Sequence, residues 1–294
     1  MHSPIATQGT NINMYLDLDP QLQNALEQER DVFEWFLQPR GQTHREVKHR
    51  LTYEVNLGDL HIFVKRHLGC GWKEVIKEWY RFRKPVVSAR NEWEGASILN
   101  KAGLRVPKVL GKGERGRYPH AVESFVALEA LENCENLEHF KKGWLGFEGT
   151  RWVELKQYLV GEIARITRTM HRCGINHRDL YINHFLVNHS IILDWNPGRT
   201  LPLYLIDLHR VQKRKEVPAR WLQKDLSALL FSALDVGLTS ADCVRFLKEY
   251  LGADWKKEFW EKKRLWTKIV RRAIRLYNGF HRKPPTLPKL LRTN

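Results

Sequence analysis

The sequence predicts an α+β fold in which a strand-rich N-terminal part precedes a mainly helical C-terminal part. Two segments, 50–55 and 60–65, alternate apolar and polar residues on either side of the turn signal Leu57-Gly58-Asp59, which is typical of an antiparallel hairpin. Downstream, Trp152 to Met170 repeats apolar residues at steps of three and four, the pattern of an amphipathic helix. With 294 residues, 43% of them hydrophobic, the chain is long enough for two domains with cores of their own.

The remaining elements follow from local signals. Residues 1–18 are polar without periodicity, so we expect them to be loosely held, and Asp19-Pro20 predicts the start of a helix near 20–37. Further helices are predicted at 89–103, 221–231, 240–251 and 255–278, and further strands at 109–113, 122–131, 185–187 and 203–206.

The charge and the cysteines narrow the class of protein. A formal net charge of +16 favours anionic partners, such as a nucleic acid, an anionic membrane surface or a phosphorylated glycolipid. No nucleic-acid-binding signature is visible in the sequence, so we expect no nucleic-acid partner.

The four cysteines include no CxxC pair, which argues against a structural zinc site and a disulfide framework and fits a reducing cytosol. Neither a signal peptide nor a transmembrane run is evident, so we expect only peripheral membrane contact.

Two carboxylates point to phosphoryl transfer. Asp179 lies in a polar loop, within the run Gly174 to Val187, and Asp207 follows 28 residues later at the end of the apolar run Leu203 to Ile206. In phosphoryl transfer one such group orients the acceptor hydroxyl and can take its proton, while the other holds Mg²⁺ on the nucleotide phosphates. We therefore interpret the chain as a kinase.

A lysine and a glutamate in the N-terminal part fit the same chemistry. Lys65 ends the strand that contains Ile62-Phe63-Val64, the place where a kinase keeps the lysine that contacts the α- and β-phosphates. Glu92 lies in the first turn of the predicted helix 89–103 and could pair with Lys65, and Glu94 is the rival candidate. A lysine at a strand end is by itself usually only a solvated charge.

These motifs together resemble a known family. The run His177 to Leu186, followed by Ile206-Asp207-Leu208-His209-Arg210-Val211-Gln212, resembles the lipopolysaccharide core kinases, which include the heptose kinases and Kdo kinases of Gram-negative bacteria. Supporting positions in the same order are Phe63-Val64-Lys65, Gly71-Trp72, residues 89–94 and residues 103–107. The resemblance covers roughly residues 30–235. It implies a bilobal protein-kinase-like fold, with a small antiparallel-sheet N-lobe and a mainly helical C-lobe, that uses ATP and Mg²⁺.

The resemblance also implies roles for single residues. Asp179 matches the catalytic aspartate, Asp207 matches the aspartate that binds the metal, and Lys65 with Glu92 matches the pair that holds the nucleotide phosphates. Adenine would lie near residues 129–131. Asp225 matches a buried aspartate that braces the catalytic loop, although an ordinary acid near a helix N-terminus is the alternative.

His184 stands where protein kinases keep the asparagine that binds the second metal ion. Heptose kinases carry His followed by Phe at this place, as in His184-Phe185, whereas Kdo kinases keep Asn. His184 could ligate the metal, contact phosphate directly or only support the loop, since imidazole is a poorer Mg²⁺ ligand than a carbonyl oxygen.

Parts of a regulated protein kinase are missing. No GxGxxG loop precedes Lys65, so residues 46–52 must cover the phosphates by other means, and no Ala-Pro-Glu motif follows Asp207. These departures disfavour a regulated protein kinase and fit a kinase with a small or glycolipid acceptor. Together with the His184-Phe185 pair, the resemblance implies a kinase that phosphorylates a heptose of the lipopolysaccharide inner core. The alternatives are a Kdo kinase, a kinase of this fold with another acceptor, and a non-catalytic pseudokinase.

The predicted domains are an N-terminal extension with a helix (1–40), an N-lobe (41–128) and a C-lobe (129–294). The C-lobe ends in a basic, aromatic stretch, 255–283, with eleven Lys or Arg and two acids. It is either a helix that lies in a membrane interface or a last lobe helix that packs its aromatic residues inside. Residues 72–90 are a second basic segment that could hold acceptor phosphates. We expect a cytoplasmic protein that is peripheral on the cytoplasmic face of the inner membrane and contacts its anionic surface.

Overall fold

A computed structural model describes residues 14–292, apart from 48, 70, 71, 73–87, 119 and 143–148, and without the side chains of 140–142. Most of the basic segment 72–90 therefore lies outside the described residues. The chain forms two compact units. The first runs to Ser97 and includes Pro107–Leu131 and Leu208–Arg210, and the second consists of Ile98–Val106, Glu132–Asp207 and the chain from Val211 onward.

The first unit is built on an antiparallel sheet. Its strands are β1 (Met14–Leu18), β2 (Gln42–Val47), β3 (Arg50–Leu57), β4 (Leu60–His67), β5 (Val109–Arg115) and β6 (Glu123–Glu129). The spatial order is β1-β5-β6-β4-β3-β2. Helix α3 (Arg90–Lys101) begins in this unit. Near its start Ala89 and Trp93 pack against Val126 and Leu128 of β6, which fixes the first turn of the helix over the sheet.

The N-terminal segment is more ordered than its polarity predicts. Residues 14–18 were expected to be loose, but they form strand β1, which pairs with Val109–Arg115. The single helix predicted at 20–37 is instead two helices, α1 (Pro20–Ala25) and α2 (Val32–Leu37). Asp31 explains the break, because its side chain accepts a hydrogen bond from the backbone of Glu34 and so starts a new helix.

The core of the first unit lies between these short helices and the sheet. Leu22 of α1 and Phe33 and Phe36 of α2 are buried against Tyr53 and Phe125 of the sheet. Phe36 stacks on Phe125 with their ring centroids 4.0 Å apart. The N-terminal helices therefore cover one face of the sheet, and the opposite face of β3 and β4 carries the polar residues described below.

The second unit is mainly helical. Its helices are α4 (Gly149–Arg172), α5 (His189–Leu193), α6 (Ala219–Ala233), α7 (Ser240–Leu251), α8 (Trp255–Glu261) and α9 (Lys263–His281). Its strands are β7 (Cys134–Asn136), β8 (Ile175–Asn176), β9 (Phe185–Asn188), β10 (Leu203–Leu205) and β11 (Gln212–Lys213). Strands β10, β9 and β7 form one small sheet, and β11 pairs with β8 in another. The helix predicted at 255–278 is thus two helices, and the short helix α5 follows directly after β9.

The C-terminal basic stretch buries some of its aromatic side chains inside the unit and exposes others. Trp266, Ile269 and Tyr277 of α9 are buried, whereas Trp260 of α8 and Phe280 of α9 are 64% and 75% exposed. The buried residues belong to a lobe helix, as in the second of the two interpretations offered above. Among the described residues, no helix has both the length and the apolar character needed to cross a bilayer.

Candidate active site

In the first unit, Lys65 and Glu92 form the ion pair that the sequence predicts. Lys65 Nζ donates to Glu92 Oε1 over 2.6 Å, and the glutamate side chain is only 2% exposed. The rival, Glu94, is 53% exposed and lies 3.8 Å from Arg90. Because burial leaves Glu92 with a fixed orientation, it can hold the lysine ammonium in one place on the sheet.

Positive charge collects on the sheet face that carries Lys65. Lys65 lies opposite Thr52, and His67 lies opposite Arg50, in the β3–β4 register, so all four side chains project from one face. His67 is buried, and this burial, followed by the charges of Arg50, His209 and Lys65, lowers its pKa to about 3. In the register of β2 and β3, Val47 lies opposite Arg50. This face of the sheet therefore carries the side chains of Arg50, Lys65 and His67 next to one another.

In the second unit, Asp225 braces the loop that carries Asp179. The buried Asp225 carboxylate accepts hydrogen bonds from the backbone N–H of His177 at 2.6 Å and of Arg178 at 2.8 Å. Of the two interpretations of Asp225, the loop brace is therefore confirmed. The brace holds Arg178 in a left-handed conformation with φ of 75°, which costs a residue with a side chain about 1 kcal/mol or more.

Two further residues support Asp225, and no sequence pattern indicates their role. His171, at the end of α4, lies with Nε2 3.3 Å from Asp225 Oδ2 and Nδ1 2.8 Å from the Tyr250 hydroxyl. Burial raises the pKa of Tyr250, so the hydroxyl stays protonated. His171 and Tyr250 are 79 positions apart in the chain, and only the packing of α4 against α7 brings them together.

His184 lies between the backbone of Asp179 and the carboxylate of Asp207. His184 Nδ1 lies 2.7 Å from the Asp179 carbonyl oxygen, and Nε2 lies 3.6 Å from Asp207 Oδ2. A carbonyl oxygen can only accept, so Nδ1 carries the proton and the lone pair of a neutral ring is on Nε2. Asp207, like Arg178, has a positive φ, of 61°. The structure thus brings together the three second-unit residues that the sequence singles out.

This arrangement fits a divalent cation. The Asp207 carboxylate lies 3.6 Å from His184 Nε2, close enough for the two groups to supply two ligands to one ion. Mg²⁺ in phosphoryl-transfer sites is commonly held by one or two protein groups together with substrate phosphates and water. In the described part of the chain, no group of three or more His, Cys, Asp or Glu side chains forms a metal site, so phosphate oxygens would have to complete the coordination.

Comparison with known proteins identifies the family. Residues 34–250 match the model of the lipopolysaccharide kinase (Kdo/WaaP) family. This chain belongs to that family. The resemblance described from the sequence is thereby confirmed, and so is the α+β, protein-kinase-like fold. A lipopolysaccharide kinase is a phosphotransferase that moves a phosphoryl group from ATP to a sugar hydroxyl, so the predicted enzyme class is confirmed as well.

Relatives of this lipopolysaccharide kinase cover most of its length. It is 38% identical over 248 residues to lipopolysaccharide core heptose(I) kinase WaaP of Pseudomonas aeruginosa, and the match covers 84% of this chain and 91% of the relative. The namesake of Escherichia coli K12 is 36% identical over 230 residues, with 78% and 84% covered. A solved structure described as WaaP in complex with acyl carrier protein matches with a TM-score of 0.73 and 34% identity, covering 89% of this chain and 99% of that one.

Proposed function

We propose that this protein transfers the γ-phosphoryl group of ATP to a hydroxyl of a heptose in the lipopolysaccharide inner core. The observation that carries the proposal is the cluster of Asp179, His184 and Asp207, whose geometry suits metal-assisted phosphoryl transfer. Support for heptose as the acceptor comes from the heptose(I) kinase relatives at 36–38% identity and from the His184-Phe185 pair.

The residues would divide the reaction as follows. Lys65, held by Glu92, contacts the α- and β-phosphates, and adenine lies near residues 129–131. Asp179 orients the sugar hydroxyl for in-line attack and takes its proton. Asp207 and His184 would hold Mg²⁺, and the bound ion would neutralise charge on the phosphates. Catalysis rests mainly on positioning and charge neutralisation, and the ordered loop around Arg178 supplies the positioning.

A radiolabelled γ-phosphate transfer assay tests this function. The acceptors are a dephosphorylated core that contains heptose and a truncated core that contains only Kdo. We expect label on the heptose-containing core alone. Label on both acceptors would move the function to Kdo, and no label on either, with ATP still bound, would leave another acceptor or a pseudokinase.

The role of Asp179 can be separated from that of the fold. Asp179→Asn removes the base and is expected to abolish transfer while the dissociation constant for ATP stays within about twofold. Asp194→Asn makes the same chemical change at an exposed position of the second unit and should keep normal activity. Retained transfer in Asp179→Asn would refute the assignment.

We further propose that the protein binds an acyl carrier protein, as its solved relative does. The second unit contains a cavity of about 290 Å³, lined mainly by apolar residues that include Ile163, Leu229, Leu230, Phe246, Trp266 and Val270. Such a cavity suits the acyl group that this carrier bears. Calorimetry should show tighter binding of acylated than of unacylated carrier, and Val270→Trp, which fills the cavity, should remove the difference. Equal binding of both carrier forms to the unaltered protein would refute the use of the cavity.

The membrane location is also a proposal, at the cytoplasmic face of the inner membrane. Its support is the net charge of +16 and the exposed Trp260 and Phe280, with Lys263 Nζ 5.0 Å from the Trp260 ring centroid. Co-sedimentation with anionic vesicles, and not with neutral ones, is expected, and it should weaken in Trp260→Ala. Sedimentation that is independent of vesicle charge would contradict the electrostatic part.

A further inference from the structure

Four cationic side chains surround one indole ring in the second unit. The ring belongs to Trp221, in the first turn of α6. The charged groups of Lys224, Arg214, Arg220 and Arg178 lie 4.2, 5.3, 5.4 and 5.6 Å from its centroid. We call these four residues with Trp221 the Trp221 cluster. Each cation is attracted by the face of the ring, but the four also repel one another.

Arg214 shows that the charges of the Trp221 cluster interact. Burial, and then the charge of Arg220, lowers the pKa of Arg214. Its guanidinium is oriented by the side-chain oxygens of Asn176 and Gln212, which are neutral acceptors that hold it without neutralising it. The nearby carboxylate of Asp225 is fully buried and accepts from the loop backbone. An anion that enters the cluster would therefore relieve the repulsion.

The start of α6 adds to the same preference. The residue before the helix is Pro218, which offers no side-chain hydrogen bond to the first turn, and that turn contains no acidic residue. Most helix starts place an oxygen acceptor there. An uncapped start of a 15-residue helix leaves backbone N–H groups and the positive end of the helix dipole to favour an anion. The cations and the helix start thus favour the same class of ligand.

We propose that the Trp221 cluster and the start of α6 bind an anionic group, a phosphate or a carboxylate, of the glycolipid acceptor. The proposal rests on the function proposed above. Arg178 directly precedes Asp179, and consecutive Cα atoms lie about 3.8 Å apart. One acceptor molecule can therefore contact both residues, with its hydroxyl at Asp179 and its anionic group at Arg178. The site would select acceptors that already carry negative charge near the reacting heptose.

Charge-removing and charge-keeping variants test the site. Arg220→Gln and Lys224→Gln remove exposed charges of the cluster, Arg220→Lys keeps the charge, and Arg271→Gln removes one charge from an exposed position of α9. Loss of one charge-assisted contact should raise the KM for the anionic acceptor about tenfold at low salt, and less at high salt. The ATP dissociation constant should stay within about twofold, Arg220→Lys should recover most of the affinity, and Arg271→Gln should match the unaltered protein.

The acceptor chemistry decides which anion is bound. The same variants are assayed with a core that lacks only the phosphate on the reacting heptose, and with that core after phosphatase treatment or after carboxyl reduction. If the variant effect disappears with the phosphatase-treated acceptor, the ligand is a phosphate, and if it disappears with the carboxyl-reduced acceptor, the ligand is a carboxylate. An equal effect on all three acceptors, or none on any, overturns the proposal. Weakened binding of acyl carrier protein with an unchanged acceptor KM overturns it in favour of an acidic protein partner.

Failure of this inference is distinct from failure of the proposed function. If the unaltered protein labels no core acceptor at all, the heptose kinase function fails before the Trp221 cluster is tested. If the unaltered protein labels the core and Arg220→Gln and Lys224→Gln behave like Arg271→Gln, only the anion site is refuted.

Discussion

Substitution of His67 should change the way stability responds to acid. The side chain is 3% exposed, and burial, with the neighbouring charges of Arg50, His209 and Lys65, lowers its pKa from 6.5 to about 3. Between these two pKa values the unfolded chain binds a proton that the folded chain does not. The contribution of His67 to stability is therefore fully present above pH 6.5 and is lost progressively as the pH falls toward 3.

The size of the loss follows from the difference in pKa. A pH of 5 is about 1.5 units below the pKa of the histidine in the unfolded chain, so that histidine is almost fully protonated. In the folded chain the histidine is still almost entirely neutral at this pH. With 1.36 kcal/mol for each pKa unit, His67 lowers the free energy of unfolding by ~2 kcal/mol between pH 7 and pH 5. His67→Gln keeps a polar side chain of similar size that does not titrate, so it should lose ~2 kcal/mol less over the same interval.

Urea unfolding at pH 7 and at pH 5, followed by tryptophan fluorescence, measures this difference. His49→Gln is the matched control, because His49 is an exposed histidine next to the same hairpin, and it should keep the pH response of the unaltered protein. The reasoning is refuted if His67→Gln and the unaltered protein lose the same free energy of unfolding between pH 7 and pH 5.

Three further substitutions test the site. If His184 ligates the metal, His184→Asn replaces an imidazole ligand with a carbonyl oxygen. The ratio of activity with Mg²⁺ to activity with Mn²⁺ should then rise severalfold, and Mn²⁺ binding followed by electron paramagnetic resonance should weaken. An unchanged ratio would show that His184 is not a metal ligand. Asp225→Asn loses at least one hydrogen bond from the loop backbone, so kcat should fall about tenfold or more while the ATP dissociation constant stays the same. An unchanged kcat would show that the loop does not need Asp225 as a brace. Glu92→Gln weakens the grip on Lys65, which should raise the KM for ATP about tenfold; an unchanged nucleotide titration would mean that another residue holds the phosphates.

The sequence was most informative where function depends on residues that are near each other in the chain. His177, Asp179 and His184 share one loop, so their order alone predicts a common site, and the structure brings His184 against both Asp179 and Asp207. The pairing of Lys65 with Glu92 could also be predicted. Lys65 ends a strand and Glu92 lies in the first turn of a helix, and these places limit the directions in which the two side chains can point. The catalytic and metal-binding roles of these residues stay predictions.

The fold was less predictable at the N-terminus, for a physical reason. Strand β1 is only five residues long, and its side chains are mostly exposed or half-buried, so its sequence carries little apolar alternation. The strand is held by backbone pairing with β5. Such pairing with a distant segment requires no particular pattern in the strand's own sequence. The break between α1 and α2 did have a signal, since Asp31 is a good helix cap, but the apolar residues on both sides suggested one continuous helix.

The Trp221 cluster could not be predicted from the sequence, because basic residues occur throughout this chain and a binding site made of them does not stand out. With 49 Lys and Arg residues, single basic positions carry almost no information, and Arg178, Arg214 and Arg220 come from a loop, a strand end and a helix start. Only their convergence on one ring distinguishes them from solvated charges. Protein kinases bind a peptide near the segment that follows the metal-binding aspartate, and this chain lacks the motifs for that task. If the Trp221 cluster binds the acceptor, concentrated positive charge performs here the selection that peptide-docking residues perform there, and the net charge of +16 is partly a matter of specificity.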